Sequence, residues 1–354
     1  MAFILLNMKQ KIAEFIVIIL IFSCCHSPQN NIPNVSHIHI NLQLQRFDQD
    51  FFAIDTNHID NSIRSLQKKY PSFFKDFTNN ILGIGTYKND VVQNATIKNF
   101  IQSYTSVKTA VDKSFKDIQL IQKEIEESFK YIKYYFPNYT LPTKLITFIG
   151  PLDAYFQGSL DGYGDVLTQD AIAIGLQLHL GKEYSLYTSQ IGQALYPSYI
   201  SRRFEPAYIT VNSIKNIIDD IDPDNTIGKP LIDQMVDKGK RLYILNRLLP
   251  QTADSLKIGY TQTQLNDCYT HESMIWSLFV QNDLLYTIEP NIIKNYIGNS
   301  PNTQALGDAS PGNIGLFVGW QIVNKYMQSN NISLDSLLKM PNRTVFEQSH
   351  YKPK

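Results

Sequence analysis

The fold of this chain depends on the stretch SPGNIGLFVGWQIVNKYM, residues 310–327, where three glycines stand close together before a run of helical character. Ser310 as an N-cap and Pro311 at the first helical position predict the start of a helix. Gly312, Gly315 and Gly319 follow at i, i+3 and i+7, which places them on one narrow helical face. Each glycine costs up to about 1 kcal/mol in a helix interior relative to alanine. The pattern therefore predicts that another backbone packs closely against this face.

Two other readings of the same glycines fail on spacing and polarity. A phosphate-binding loop needs G-x-x-x-x-G-K-[ST], and a dinucleotide fold needs G-x-G-x-x-G; neither is present. Small-residue faces also drive helix association in membranes. This stretch, however, is too short for a span and carries polar residues, among them Gln321 and Lys325. A helix packed inside a soluble fold is predicted.

Composition limits the class of protein. The 354 residues include 32 basic and 32 acidic side chains, so there is no basic excess of the kind that nucleic-acid binding requires. The three cysteines have no spacing that would form a disulfide framework or a cysteine-rich zinc site. A globular protein that does not bind nucleic acid is expected.

The N-terminus has the three parts of an export signal. Lys9 and Lys11 supply positive charge, residues 15–22 form an apolar run, and the small residue Ser23 precedes Cys24. The run of about eight residues is far short of the roughly 20 that a permanent transmembrane helix needs. IFSC resembles a bacterial lipobox, in which the cysteine is acylated with fatty acids such as palmitate. We therefore predict a lipoprotein signal peptide at 1–23, lipidation of Cys24 and a tether at 24–36; the alternative is a plain secretory signal.

The rest of the chain reads as an α+β domain that is mostly helical. Period-2 alternation of Ile38, Ile40, Leu42 and Leu44 predicts a strand with one buried face. The pattern is helical from about 62 to 136, including one helix that runs through 115–132. Strands are predicted at TKLITFIG (143–150) and at 171–178, with helices from about 196 onward. We expect a single domain, 37–354, in which a small sheet packs with helices; its parts are a helix-rich 37–140 and a remainder, 141–354.

Histidines offer two candidate metal sites, and both are incomplete. His271-Glu272 begins an H-E-x-x-H motif, but Ile275 stands where the second histidine should be. His37 and His39 share one strand face, and the sequence implies no third ligand. A polar pair on an amphipathic helix and a strand-borne pair without metal are the simpler interpretations.

Two further candidates also have structural explanations. Asp161 and Asp165 flank glycines in SLDGYGD, but the oxygen ligands of a calcium loop are missing, so a hairpin turn is predicted. Cys268 lies in a helical region and is expected to be a small buried residue. No catalytic, cofactor-binding or metal-binding residue is predicted.

Several long stretches resemble one family. They are PSYISRRFEPAYITVNSI, DKGKRLYILNRLLP, IGYTQTQL, SPGNIGLFVGWQIVNKYM and FEQSHYKPK, with RFDQDFF and IGLQLHLGKEYSLY earlier in the chain. Their order and content resemble the gliding-motility lipoprotein GldB family of Bacteroidetes. The resemblance covers most of the chain after residue 40, and it agrees with the lipobox.

The resemblance implies a fold and a function. The family looks like a degenerate, inactive relative of gluzincin-type H-E-x-x-H zinc peptidases. The stretch 206–218, where that motif would lie, contains no histidine, and Lys238 stands where an anionic ligand would precede Gly239. We expect a non-enzymatic lipoprotein without cofactors, anchored to a membrane by lipid and facing the periplasm, that contacts envelope proteins of the gliding and type IX secretion machinery.

Two alternatives remain open at this point. One is an envelope zinc-dependent hydrolase whose unconventional site uses His271, Glu272 and a histidine of the N-terminal strand. The other is a secreted ligand-binding protein. Zinc content would test the first, and fatty acid on Cys24 would count against the second.

Overall fold

The structure is a computed structural model that describes residues 32–85, 89–153 and 164–354. Residues 35–354 form one compact unit. Helices take 60% of the chain and strands 5%, which confirms the predicted α+β class with mostly helical content.

A short strand and a series of helices make up the first part of the chain. Strand β1 spans Gln43–Arg46, and α1 follows directly at Phe47–Phe52. The helices that follow are α2 Ile59–Lys69, α3 Pro71–Asp76 with a π-helical turn Phe77–Ile81, α4 Asp90–Ser103, α5 Thr105–Ser114 and α6 Gln119–Tyr135.

The sheet has four described strands in the order β1-β2-β4-β3. Strands β2 (Lys144–Phe148) and β4 (Ala171–Gly175) are parallel to each other and β2 is parallel to β1, whereas β3 (Val166–Leu167) pairs antiparallel with β4. Both faces of β2 and β4 are buried, as expected of parallel strands covered on two sides.

Helices dominate the remainder of the chain. They are α7 Ser185–Thr188, α8 Gln190–Leu195, α9 Ser198–Ser201, α10 Ile209–Ile221, α11 Leu231–Leu248, α12 Asp254–Ile258, α13 Gln262–Thr270, α14 Glu272–Gln281, α15 Pro290–Ile297, α16 Ile314–Ser329, α17 Leu334–Lys339 and α18 Asn342–Ser349. Short 3-10 turns occupy Leu176–Leu178, Pro206–Tyr208 and Gln304–Leu306.

The strand predicted at 38–44 is wrong in its extent, because the ladder begins only at Gln43. Leu42 shows the reason. Its N–H donates to the Glu126 carboxylate at 3.1 Å, and its carbonyl accepts from the Gln122 amide at 2.8 Å. Side chains of α6 thus satisfy this backbone instead of a neighbouring strand, while Leu42 itself is buried.

Two other boundaries also differ from the sequence pattern. The helix predicted through 115–132 is broken between Ser114 and Gln119, where the Asp117 carboxylate accepts the Gln119 N–H at 2.8 Å. The strand predicted over 171–178 ends at Gly175 and turns into the 3-10 segment. In both cases apolar residues stay buried after the regular element ends, and periodicity alone cannot detect such breaks.

The close helix packing predicted from the glycine face is present where α16 crosses α11. A Cβ on Gly319 would overlap the Met235 carbonyl, and one on Gly239 would overlap the Gly319 backbone. A Cβ on Gly315 would lie 2.6 Å from Ile297 and 3.0 Å from Met235. The glycines therefore allow the two backbones to meet with no side chain between them.

Helix α16 begins later than Ser310 and Pro311 predict. The helix begins at Ile314, after Asn313 in the left-handed conformation with φ 57°. The Ser310 hydroxyl does not cap it but donates to the Gly307 carbonyl at 2.6 Å. Gly312 precedes the helix, and a Cβ there would overlap the Ser300 carbonyl.

Candidate functional site

The metal candidates weighed in the sequence form no metal site within the described part of the chain. The lipidation residue Cys24 and the calcium-loop candidate Asp161 lie outside the described residues. His37 and His39 are exposed. Over 32–85, 89–153 and 164–354, no group of three histidine, cysteine or acidic side chains is placed to hold a metal ion.

His271 and Glu272 occupy the junction between α13 and α14 instead of one continuous helix. The imidazole Nδ1 of His271 is 2.9 Å from the Asp267 carbonyl, and the Glu272 carboxylate accepts the Tyr351 hydroxyl at 2.7 Å. Burial raises the pKa of the Tyr351 phenol, with Glu272 adding to the effect, so the hydroxyl stays protonated and donates. Each member of the pair thus has its own structural partner.

Cys268 is buried, as predicted, at 2% exposure. Burial raises the pKa of its thiol to about 12. The thiol is therefore neutral and unreactive at physiological pH and behaves as a small apolar group.

One buried polar constellation among the described residues is a pair that the sequence does not predict. Asp165 Oδ1 is 3.0 Å from His179 Nε2, and both side chains are sealed from solvent. The Gly175 N–H donates to the same oxygen at 3.2 Å, and the Asn216 amide of α10 donates to the Asp165 carbonyl at 3.0 Å. Burial raises the pKa of the Asp165 carboxyl, while His179 opposes that rise.

This pair lies at the carboxyl ends of the parallel strands. Phe148 and Gly175 are register partners at the ends of β2 and β4. Just beyond them Gln177 accepts the Gly150 N–H at 3.0 Å, which ties the two strand ends together. Open α/β sheets place ligands at such an edge. No sequence motif marks the pair, because Asp165 and His179 meet only through the β3–β4 pairing.

Asp165 and His179 keep one unused polar atom each. Asp165 Oδ2 and His179 Nδ1 have no hydrogen-bond partner among the described residues. A carboxylate hydrogen-bonded to one imidazole nitrogen fixes the ring's tautomer and orientation. The Asp165 side chain thus joins the start of β3 to the end of β4, and its main-chain carbonyl joins the same point to α10.

A second cluster, built around a buried arginine, joins the C-terminal end of α10 to α11. Arg241 is 1% exposed and reaches three carboxylates: Asp237 at 2.8 Å, Asp219 at 3.1 Å and Asp222 at 3.3 Å. These carboxylates raise the pKa of the Arg241 guanidinium against the effect of burial. One fixed cation thus satisfies the acidic groups that both helices bring together.

Comparison with known proteins decides the family. The sequence profile described as gliding motility protein GldB matches residues 28–353. The chain belongs to the GldB family. No curated protein and no solved structure matches the chain.

Membership of the GldB family makes this chain a gliding-motility component, and the family's short name marks its members as lipoproteins. The match includes the α11–α16 crossing and the Asp165–His179 pair. Among the residues that the structure describes, no helix has both the length and the apolar character needed to cross a membrane.

Proposed function

We propose that this protein is a non-catalytic lipoprotein of the cell envelope that works through protein–protein contacts in the gliding and type IX secretion machinery. The observation that carries the proposal is the GldB family match over residues 28–353, which extends over almost all of the folded chain. No cofactor has a part in this role.

The anchor proposed is a lipid on Cys24, which would hold the domain on a membrane, facing the periplasm. In this layout 1–23 is the signal peptide, 24–36 the tether, and 37–354 a single GldB-like domain with a helix-rich part, 37–140, and a metallopeptidase-like part, 141–354. More than one acyl chain on the cysteine gives stable attachment, whereas a single chain gives only marginal binding.

The residue types along α10 and α11 support a role without catalysis. These are the helices that the resemblance to zinc peptidases would assign to metal ligands. Helix α10 carries no histidine. The acidic residues Asp219, Asp222 and Asp237 are already engaged by the Arg241 guanidinium.

Gene deletion and complementation test the role in the cell. Deletion in the source organism should stop gliding, or protein secretion where the organism does not glide, and the wild-type gene should restore it. Cys24→Ala should fail to incorporate an alkyne-labelled fatty acid and fail to complement. Cys25→Ala is the matched control and should be labelled and active.

Two results would contradict the proposal. Labelling of Cys24→Ala at wild-type level would show that the lipid is not attached to Cys24. Stoichiometric, chelator-sensitive zinc in the purified protein, together with a hydrolytic activity that chelation abolishes, would show that the protein is an enzyme and not a non-catalytic contact protein.

A further inference from the structure

The loop 298–313, between α15 and α16, is closed by its own hydrogen bonds. The Ser310 hydroxyl accepts the Thr303 N–H at 3.1 Å, and the buried Thr303 hydroxyl donates to the Pro311 carbonyl at 2.8 Å. Gly312 lies so close to Ser300 that a Cβ would overlap its carbonyl. Compact loops whose ends meet in this way frequently carry function.

One side of this loop forms the wall of a cavity of about 340 Å³. The lining residues from the loop and the start of α16 are Leu306, Ala309, Ser310, Pro311 and Ile314, and those from α13 and α14 are Asp267, Cys268, His271, Met274 and Ile275. The volume lies within the range of about 300–1,000 Å³ that is usual for ligand pockets.

The cavity has an apolar interior and an adaptable mouth. Cys268, Ile275 and Ile314 are all buried and form apolar lining. Met274 is 53% exposed. Methionine is flexible and polarizable, and it is favoured at surfaces that accept varied apolar partners.

Helix α14, beside the cavity, exposes part of its apolar surface to solvent. In α14, ESMIWSLFVQ, only Ile275 and Phe279 are buried. Met274 and Val280 are exposed at 53% and 46%. Helices that are apolar on more than one face are normally buried, and exposed apolar patches mark interaction sites.

The chain segments that line the cavity carry acidic residues and no lysine or arginine. Segments 267–275 and 306–314 contain Asp267, Glu272 and Asp308 and no basic residue of either kind. The Asp267 carboxylate lines the cavity and makes no hydrogen bond or ion pair within the described part of the chain. A negative rim disfavours the carboxylate or phosphate head of a lipid and favours a cationic group.

We propose that this cavity, with the exposed Met274 of α14 at its mouth, docks a segment of a partner protein in which a large apolar side chain is flanked by lysine or arginine. The apolar side chain fills the cavity, and the basic group pairs with Asp267 at the rim. Buried aromatic or aliphatic anchors with charged neighbours are the usual centres of protein interfaces. The inference rests on the proposed function and gives its contacts a location.

Two alanines of the same loop supply a matched test. Ala309 lines the apolar cavity, whereas Ala305 lines a polar cavity of about 590 Å³ with Asn295, Asn299 and Gln304. Both alanines are exposed, so a tryptophan at either position can be accommodated toward solvent. Ala309→Trp should fill the proposed site, and Ala305→Trp should leave it open.

The probe is a phage-displayed library of random peptides, selected on the full-length lipidated protein in nanodiscs. Selected peptides should combine an aromatic or large aliphatic residue with a neighbouring lysine or arginine. By fluorescence anisotropy, Ala309→Trp should weaken their binding by about tenfold or more, the effect of losing one central contact, and Ala305→Trp should not. Asp267→Asn should weaken binding and reduce its salt dependence.

Several outcomes would overturn this site. They are peptides without the apolar–basic signature, binding that survives Ala309→Trp, a fluorescent fatty acid that Ala309→Trp excludes, or a dimer in sedimentation equilibrium that Ala309→Trp dissociates. Should peptide binding fail while deletion still stops gliding, the docking site falls and the proposed function stands. If Ala309→Trp lowers the melting temperature, Asp267→Asn supplies the decisive comparison.

Discussion

At the crossing of α11 and α16 the contact between the two helices depends on single glycines. Gly319→Ala should destabilise the protein, because its methyl group would meet the Met235 carbonyl, a backbone atom that cannot rotate away. Overpacking of this kind costs about 1–3 kcal/mol. That cost exceeds the gain of up to about 1 kcal/mol that alanine brings to a helix. The measurement is urea unfolding followed by circular dichroism.

The control is Lys325→Ala on the exposed side of the same helix, which should change stability by less than about 0.5 kcal/mol. Gly315→Leu should also destabilise, since even a Cβ there comes within 2.6 Å of Ile297. Unchanged stability in Gly319→Ala would show that the two backbones do not meet there.

Lys240 should make the free energy of unfolding depend on pH in the alkaline range. Its side chain is 2% exposed and donates to the Met340 carbonyl, and burial lowers its pKa from 10.5 to about 8, with Asp237 opposing the shift. Between these two pH values the unfolded chain binds more protons than the folded chain, so the free energy of unfolding rises with pH. The gain is at most about 3 kcal/mol at 1.36 kcal/mol per pKa unit.

Lys240→Met isolates this effect from the titration of other groups. Denaturant unfolding is measured at intervals from pH 7 to 10.5. The free energy of unfolding of the wild type, relative to that of Lys240→Met, should increase as pH rises. Lys339→Met, at an exposed position of α17, should show no such trend. A pH-independent difference for Lys240→Met would mean that Lys240 keeps its ordinary pKa in the fold.

At the scale of elements, the Arg241 cluster fastens α10 to α11. Arg241→Met should destabilise by about 3–5 kcal/mol, because three carboxylates lose the buried cation that compensates them. Thermal and denaturant unfolding measure the loss. The comparison variant is Arg343→Met, whose pair with Asp233 is 3.1 Å long but whose side chain is 36% exposed. Such a pair contributes no more than about 1 kcal/mol, so equal losses in the two variants would contradict the assigned role.

Local sequence patterns predict a helix or strand correctly where the packing around that segment matches its apolar pattern. TKLITFIG forms β2 because its apolar, β-branched residues are covered on both faces. The alternating residues 38–42 form no ladder, and at Leu42 side chains of α6 take both backbone hydrogen bonds. Gly312 differs from Gly315 and Gly319 because its neighbour Asn313 takes the left-handed conformation and delays α16. The first difference depends on a helix distant in sequence, and the second on a local backbone conformation that periodicity does not reveal.

The candidate sites divide along the same line. Burial of Cys268 is confirmed and follows from its residue type in a helical region. Asp165 stands in a glycine-rich stretch that predicts a turn, yet the β3–β4 pairing carries it into the interior against His179. The cavity at 298–313 joins two segments separated by α15, and no local motif brings these segments together.

At the scale of the whole molecule, the sheet is shared by two apolar clusters. On β2, Leu145 packs into the larger cluster of C-terminal helices, whereas Ile146 and Phe148 pack into the aromatic cluster built on Phe47 and Phe77. Alternate residues of one strand thus belong to different cores. Neither cluster can lose its packing without exposing one face of β2.

The shared strand predicts that residues 37–354 unfold in one cooperative transition. Trp276 and Trp320 report on the helices of the C-terminal part, and Phe52→Trp, at a half-buried position, adds a reporter in the helix-rich part. In urea, the fluorescence transitions of wild type and Phe52→Trp should coincide with each other and with far-ultraviolet circular dichroism, because coincident probes are the signature of two-state unfolding. A midpoint at lower urea concentration, seen only through Phe52→Trp fluorescence, would show that residues 37–140 unfold separately. It would also show that β2 stays folded after the aromatic cluster has unfolded. The Phe148 side chain is buried between the sheet and the aromatic cluster. If the protein unfolds as one cooperative unit, Phe148→Ala should therefore lower the unfolding midpoint reported by every probe by the same amount.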